Sequence, residues 1–494
     1  MYIKLEKDIK VPRGNFGFVY EKTKEQELYD LLLACESVYK LNYRDFAHKL
    51  RMAYECIAVW FEVKYLKTHG LTEGRSDAEL KREITRNVTN PNYTISIGNQ
   101  RNQYYNFKNM LIRYTYDSPE KFETFLRRFS FDTKKSLREN LSYYIRYIYD
   151  FGSKSSHVGV NGEKRFQPNK RNVKRVLHSF HDFLCVLFSV NHRFSERDLP
   201  IRDFYPVPEL VCQAQGLNLS DREILYIREE HGRVRYYLGV TEKTDISLKD
   251  KREMEAIRRL WEESYDDPSN IIRSADLIQG AEEGERYQFY SLADFPVSLS
   301  YTLLQDLSKE ERRKLIQGIG KGIYSMHCCN PPVYHRNLCP EAFLLFKVQN
   351  HYKILLTDFQ YSKSKISFSE KGGHGNDARR DLDDNSEETV FFDLKKLASY
   401  QFENDYFAPE MRGFTGNSST LDWEKADVFS FGQLWIYIMT GFVLEKPEET
   451  YHLINRADIS VKEKDILVDM LSWDAADRPH MKEVMSVMCP SAVK

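Results

Sequence analysis

A chain of 494 residues is long enough for two or three domains of roughly 100 to 200 residues each. Lys plus Arg number 72 against 73 Asp plus Glu, which excludes a global field that would draw the protein onto nucleic acid or an anionic membrane surface. The aromatic share of 14%, with 32 Tyr and 30 Phe, argues for folded structure over long disordered tracts. The eight cysteines form no C-x-x-C pair and no metal-ligand rhythm, and no secretory apolar run follows the charged start MYIKLEKDIK. Reduced thiols and a cytoplasmic location are the expectation. The most apolar stretch, Phe183 to Val190, falls far short of the ~20 residues of a membrane span, so a soluble chain with no membrane contact is expected.

In chain order, residues 26 to 69 carry apolar positions at helical spacing, with a break near Leu41 to Tyr43, and read as a helical hairpin. Further helical segments are predicted at about Asn106 to Thr115, Pro119 to Phe129, Lys135 to Phe151 and Arg171 to Val190. The last carries the apolar stripe Val176, Leu177, Phe180, Phe183, Leu184 and Leu187. Pro200, Pro206 and Pro208 then punctuate an extended stretch, and ILYIREEHGRVRYYLGV alternates like a β-hairpin turning at His231 and Gly232. Strands, a helix over Asp250 to Glu263, more strands and a long helical region follow. The polar, Asp-rich segment 372 to 390 reads as a mobile loop.

The string YHRNLCPEAFLLF at 334 to 346 resembles the protein-kinase catalytic loop H-R-D-L-K-P-E-N. Four similar strings follow in that family's order: LLTDFQYSK (355 to 363) for D-F-G, YFAPE (406 to 410) for A-P-E, DVFSFGQLWIYIMTG (427 to 441) for the buried helix, and ADRPHMKEV (476 to 484) for the closing R-P motif. The resemblance implies that Asp427 caps the backbone of the catalytic loop around His335 and Arg336, and that Glu410 pairs with Arg478. Both contacts hold architecture.

Phosphoryl transfer depends on a few charges around the transferred phosphate and the attacking hydroxyl, and here the resembling motifs depart from the family. The position of the catalytic aspartate holds Asn337, whose neutral amide cannot act as a base, a function typically worth ~10² to 10⁴ in rate. Cys339 stands for the loop lysine and Ala342 for the asparagine that holds a second Mg²⁺. Asp358 survives as the one candidate metal ligand, followed by Gln360 where the family has glycine. Upstream, no G-x-G-x-x-G precedes the predicted helix, the nucleotide-binding lysine position falls on Gly239 or, shifted, on Lys243, and Glu253 occupies the place of the family's helix glutamate. The string RGNFGFVY (13 to 20) looks like a phosphate loop, but a long helical pattern follows it instead of a lysine strand.

NFGFV (15 to 19), with Leu50, Arg51 and Glu55 in HKLRMAYECIAVW, resembles instead the HEPN-like helical domain that opens type I restriction-enzyme R subunits. That domain ends near G-N-x-x-x-H, matched here by Gly152 and His157 with Ser153 for the asparagine. Active HEPN ribonucleases use R-x(4 to 6)-H. No arginine precedes His157 at that spacing, whereas Arg171 with His178 and Arg175 with His181 satisfy it on the last helix. The competing reading is a solvated face opposite the apolar stripe.

These readings predict an α+β chain: an all-α HEPN-like domain over 1–195, a Pro-containing linker over 196–222, and a bilobal kinase-like domain with its small lobe at 223–290 and its large lobe at 291–494. The function they imply is a pseudokinase-containing regulator or sensor, taking ATP and Mg²⁺ if it binds a nucleotide, in a bacterial defence setting. A protein partner or a homodimer through the helical domain is expected. The alternatives are a divergent Ser/Thr kinase and a HEPN-type ribonuclease acting on RNA, gated by the kinase-like half.

Overall fold

The computed structural model describes residues 2–5, 10–68, 70, 72, 74–87, 148, 151, 167–188, 190–220, 222–242, 256–257, 260–261, 270–283, 285–330, 332–348, 351–359, 362–364, 405–412 and 421–492. These form helices and antiparallel strand pairs, an α+β protein. The predicted helices at 106 to 115 and 119 to 129, most of 135 to 151, the 372 to 390 loop, and Gly152, Ser153, His157, Lys243, Glu253 and Gln360 lie outside the described residues. The chain divides into two compact units. The first takes Met1–Pro208, Tyr226–Val234 and Gln279–Glu283; the second takes Glu209–Leu225, Arg235–Ile278 and Gly284–Lys494.

In the first unit β1 (Tyr2–Lys4) pairs antiparallel with β2 (Lys10–Pro12), followed by α1 (Gly17–Thr23), α2 (Gln26–Tyr39), α3 (Tyr43–Thr68), α4 (Asp77–Asn87), α5 (Lys170–Leu187) and β3 (Tyr205–Pro206). Residues 40–42 separate α2 from α3, where the Asn42 side chain accepts the backbone N–H groups of Arg44 (3.0 Å) and Asp45 (3.1 Å). An Asn oxygen capping otherwise orphaned N–H groups is a helix start signal. All six residues of the predicted α5 stripe are buried, in one core with Leu28 and Leu32 of α2 and with Phe46, Leu50 and Ile57 of α3. The helical repeat keeps such positions on one side of α5.

A polar anchor lies within that core. The Asn15 backbone N–H and Nδ2 both donate to Glu36 Oε1 (2.8 and 2.9 Å); Nδ2 also donates to the Ser195 carbonyl (3.1 Å), and Asn15 Oδ1 accepts the Ser195 N–H (2.8 Å). One side chain thus ties the N-terminal segment, α2 and the segment after α5. Gly14 (φ 93°) precedes it, and a Cβ there would collide with the Glu36 carboxyl, so glycine is needed for its conformation and its lack of a side chain.

The second unit opens on α6 (Glu209–Ala214) and holds most of β5 (Arg233–Glu242), which pairs antiparallel with β7 (Arg286–Leu292), and most of β6 (Arg273–Gln279), the other neighbour of β7. The predicted turn at His231 (φ 51°) and Gly232 (φ 75°) lies in the first unit, between β4 (Glu223–Glu230) and β5. β8 (Val297–Ser298) and α7 (Tyr301–Asp306) follow, then α8 (Lys309–His327). α8 opens on a capping box in which the Ser308 N–H donates to Glu311 Oε2 (2.9 Å) and the Glu311 N–H to Ser308 Oγ (3.3 Å). A Cβ on Gly318 would sit 2.7 Å from Ile354 and one on Gly320 2.9 Å from Met485 Sδ, so both glycines permit close packing on α8. α9 (Trp423–Thr440) is buried on nearly every side, as a helix without a polar face must be. α10 (Thr450–Arg456), α11 (Val461–Met470) and α12 (Met481–Met488) complete the unit.

Candidate functional site

Two loops meet in the second unit. The first, 335–342, runs from β9 (Val333–Tyr334) to β10 (Phe343–Val348); the second, 357–362, runs from β11 (His351–Leu356) to β12 (Lys363–Ser364). β10 pairs with β11 from Phe343↔Leu356 to Val348↔His351, and β9 with β12 at Tyr334↔Lys363 and Val333↔Ser364. Each loop therefore has one end in each strand pair, which forces the loops side by side. A direct bond from the Thr357 N–H to the Ala342 carbonyl (2.8 Å) joins them.

Asp427, on α9 and 1% exposed, holds the first loop. Its Oδ2 accepts the His335 N–H (2.8 Å) and its Oδ1 the Arg336 N–H (2.8 Å), while His327 Nε2, at the end of α8, lies 3.1 Å from Oδ2. Arg336 has a left-handed backbone (φ 68°), a conformation that costs on the order of 1–3 kcal/mol and persists only where the surroundings enforce it. The Asp427 carboxylate enforces it here. The Arg336 guanidinium stacks 4.1 Å above the ring of Trp423, the first residue of the same helix.

His335 is fully buried and its imidazole is held below the usual histidine range by burial. Its Nε2 donates to the Thr357 carbonyl (2.8 Å) and its Nδ1 accepts the Asn337 N–H (3.3 Å), so the partners select the neutral Nε2–H tautomer. The ring also meets Phe359 edge-on at 5.1 Å. Histidine here joins the two loops and is shielded from solvent.

Asn337 is 5% exposed, and its Nδ2 donates to Asp358 Oδ2 at 2.8 Å. Asp358 likewise has a left-handed backbone (φ 58°). Asn337 Oδ1 is buried and accepts no hydrogen bond among the described residues. Cys339 is 7% exposed, its thiol pushed well above the ordinary range by burial and then by the Glu341 charge. It supplies neither a cation nor a thiolate. Ala342 is fully buried and has no side-chain donor or acceptor.

Glu410 and Arg478 form a two-pronged ion pair, Nη1 to Oε1 at 2.6 Å and Nη2 to Oε2 at 2.8 Å, with the Arg478 side chain fully buried. Arg478 also donates to the carbonyls of Ser472 (2.8 Å) and Lys425 (3.1 Å), and the Lys425 ammonium donates to the Arg478 carbonyl. Gly239 is buried in β5 opposite Phe289 of β7, so this candidate for the nucleotide lysine brings no charge.

Of the candidate ribonuclease residues, Arg171 and His178 both lie on α5, seven positions apart, or about 10 Å along the axis. His178 is 3.2 Å from Glu196, which also pairs with Lys174 at 2.5 Å, and its ring lies 4.4 Å from that of Phe194. His181 is 1% exposed, packed among the rings of Phe16, Phe18 and Phe194 and bonded to His192 at 3.0 Å. It is a core histidine with its polar edge satisfied.

Sequence reasoning missed His327, Thr357 and Trp423 around the first loop and Glu36 with Ser195 around Asn15. Thr357 lies inside LLTDFQYSK but acts through its backbone carbonyl, and the others lie outside the quoted strings. No protein-family model matches the chain, and no curated protein matches it. Among the described residues no helix is long and apolar enough to cross a membrane, and no group of three or more His, Cys, Asp or Glu is placed to hold a metal ion.

Proposed function

We propose that residues 223–494 are a bilobal kinase-like module without phosphotransfer, serving as a regulatory or sensor domain alongside an N-terminal HEPN-like domain in a bacterial defence setting. The observation that carries this reading is the bond from Asn337 Nδ2 to Asp358 Oδ2. At the position of the base stands an amide that has no proton-accepting role and that already engages the one surviving acidic group. Catalysis of phosphate transfer rests on positioning and charge, and with Cys339 protonated and Ala342 apolar the neighbouring positions supply neither. The contacts of Asp427, Glu410 and Arg478 support a fold kept under the same constraints as an active enzyme, which suits a domain whose shape is read by a partner or a nucleotide.

Unfolding of the full chain with and without ATP and Mg²⁺ tests the sensor function. A nucleotide at 100 times its Kd stabilises the folded state by ~2.7 kcal/mol, so a clear rise in Tm is the expected outcome. No rise at millimolar ATP removes the nucleotide and leaves a protein partner as the signal.

A further inference from the structure

A kinase-like site implies Mg²⁺, held by the acidic residue of the second loop and by a side chain at position 342. The residues present do not fit that ion. Mg²⁺ demands a near-octahedral shell of oxygens. Of the two carboxylates among the described residues of these loops, Glu341 is exposed and bonds to the Cys339 thiol, and Asp358 Oδ2 is already engaged by an amide N–H. Ala342 offers no ligand atom, and the Cys339 thiol is buried and protonated. The orphaned acceptor Asn337 Oδ1 is enclosed, with less than a tenth of the residue exposed.

We propose that the Asn337–Asp358 hydrogen bond stands in place of the divalent cation: Asn337 is a positioning residue that fixes Asp358 and lets the site keep its shape without a metal. An aspartate at 337 would set carboxylate against carboxylate at the separation where the amide now donates, 2.8 Å. Two such groups cannot both stay ionised without a cation or a shared proton. The amide turns the same contact from repulsive to attractive and supplies the N–H that holds Asp358 in its left-handed conformation. This inference rests on the kinase-like reading of the two loops, and it gives that site its particular property: what binds there binds without a metal.

The test uses the full chain and the metal alone. Wild-type protein should unfold at the same temperature in EDTA and in MnCl₂, with no protein-bound Mn²⁺ signal by electron paramagnetic resonance. Asn337→Asp should unfold at a lower temperature in EDTA at neutral pH, recover by roughly 3 °C or more on adding Mn²⁺, and show a bound-Mn²⁺ spectrum. Adding Asp358→Asn to that variant should abolish both responses. Two results overturn the proposal: a Mn²⁺-dependent rise in wild type that Asp358→Asn removes, or a folded Asn337→Asp chain that ignores Mn²⁺. Should Asn337→Asp fail to fold, wild type against Asp358→Asn in Mn²⁺ still decides. Wild-type Mn²⁺ binding without phosphate transfer from ATP sinks this inference alone, whereas transfer sinks the kinase-like reading without catalysis on which it rests.

Discussion

Glu36 in the first unit and Asp427 in the second are buried acids at junctions of chain segments, and the two are satisfied in opposite ways. Asp427 has donors on both oxygens: two backbone N–H groups and the His327 ring. Glu36 has both of its Asn15 donors on Oε1, while Oε2 is buried with no partner among the described residues. Burial, opposed by the Asn15 bonds, pushes the Glu36 carboxyl up to about 8. The raised pKa keeps Glu36 largely protonated inside an apolar core at neutral pH, whereas Asp427 spends both oxygens on organising a loop. The difference shows that a buried acid is fixed by its donors more than by its depth.

Removing Asp427 should have the largest effect. Asp427→Ala leaves two loop N–H groups and His327 without their acceptor, and dismantling a buried charged network costs about 3–5 kcal/mol; chemical denaturation measures it, and a loss under ~1 kcal/mol would break the comparison.

Glu36→Gln should act through pH. Because the folded pKa is raised, the unfolded chain ionises first; the stabilisation is complete below the unfolded value near 4.5 and is lost as pH rises through about 8. Wild type should lose up to about 1.4 kcal/mol per pH unit inside that window, and Glu36→Gln should flatten this contribution. An unchanged slope would show that Glu36 is ionised in the core.

The smallest effect is expected at His178, which shares Glu196 with Lys174 on an exposed surface. His178→Ala should change stability by ~0–1 kcal/mol, and loss of several kcal/mol would mean that this face is packed against something.

Much of this fold was legible in the sequence where periodicity carries the information. The α2–α3 hairpin with its break at residues 40–42, the buried stripe of α5 and the turn at His231 and Gly232 all follow from spacing. The resemblance read from motif order led to the expectation that Glu410 joins Arg478 and Asp427 the first loop, and both contacts are present. The amide bond to Asp358 was not legible. It arises because two strand pairs bring positions 337 and 358 together, and no local pattern encodes that meeting. Nor was the Asn15 anchor, whose partners lie 21 and 180 positions away. NFGFV was legible as a family-like string, whereas its physical role is a staple plus the start of a short helix. The short strands β1 and β2 escaped notice because three residues give no periodicity to read.

The most direct test of the central claim is transfer of radiolabelled γ-phosphate from ATP, with Mg²⁺ and Mn²⁺ supplied, to the full chain itself and to a generic protein substrate. A module without phosphotransfer gives no incorporation above that of the Asp358→Ala chain. Incorporation by wild type that Asp358→Ala abolishes would contradict it.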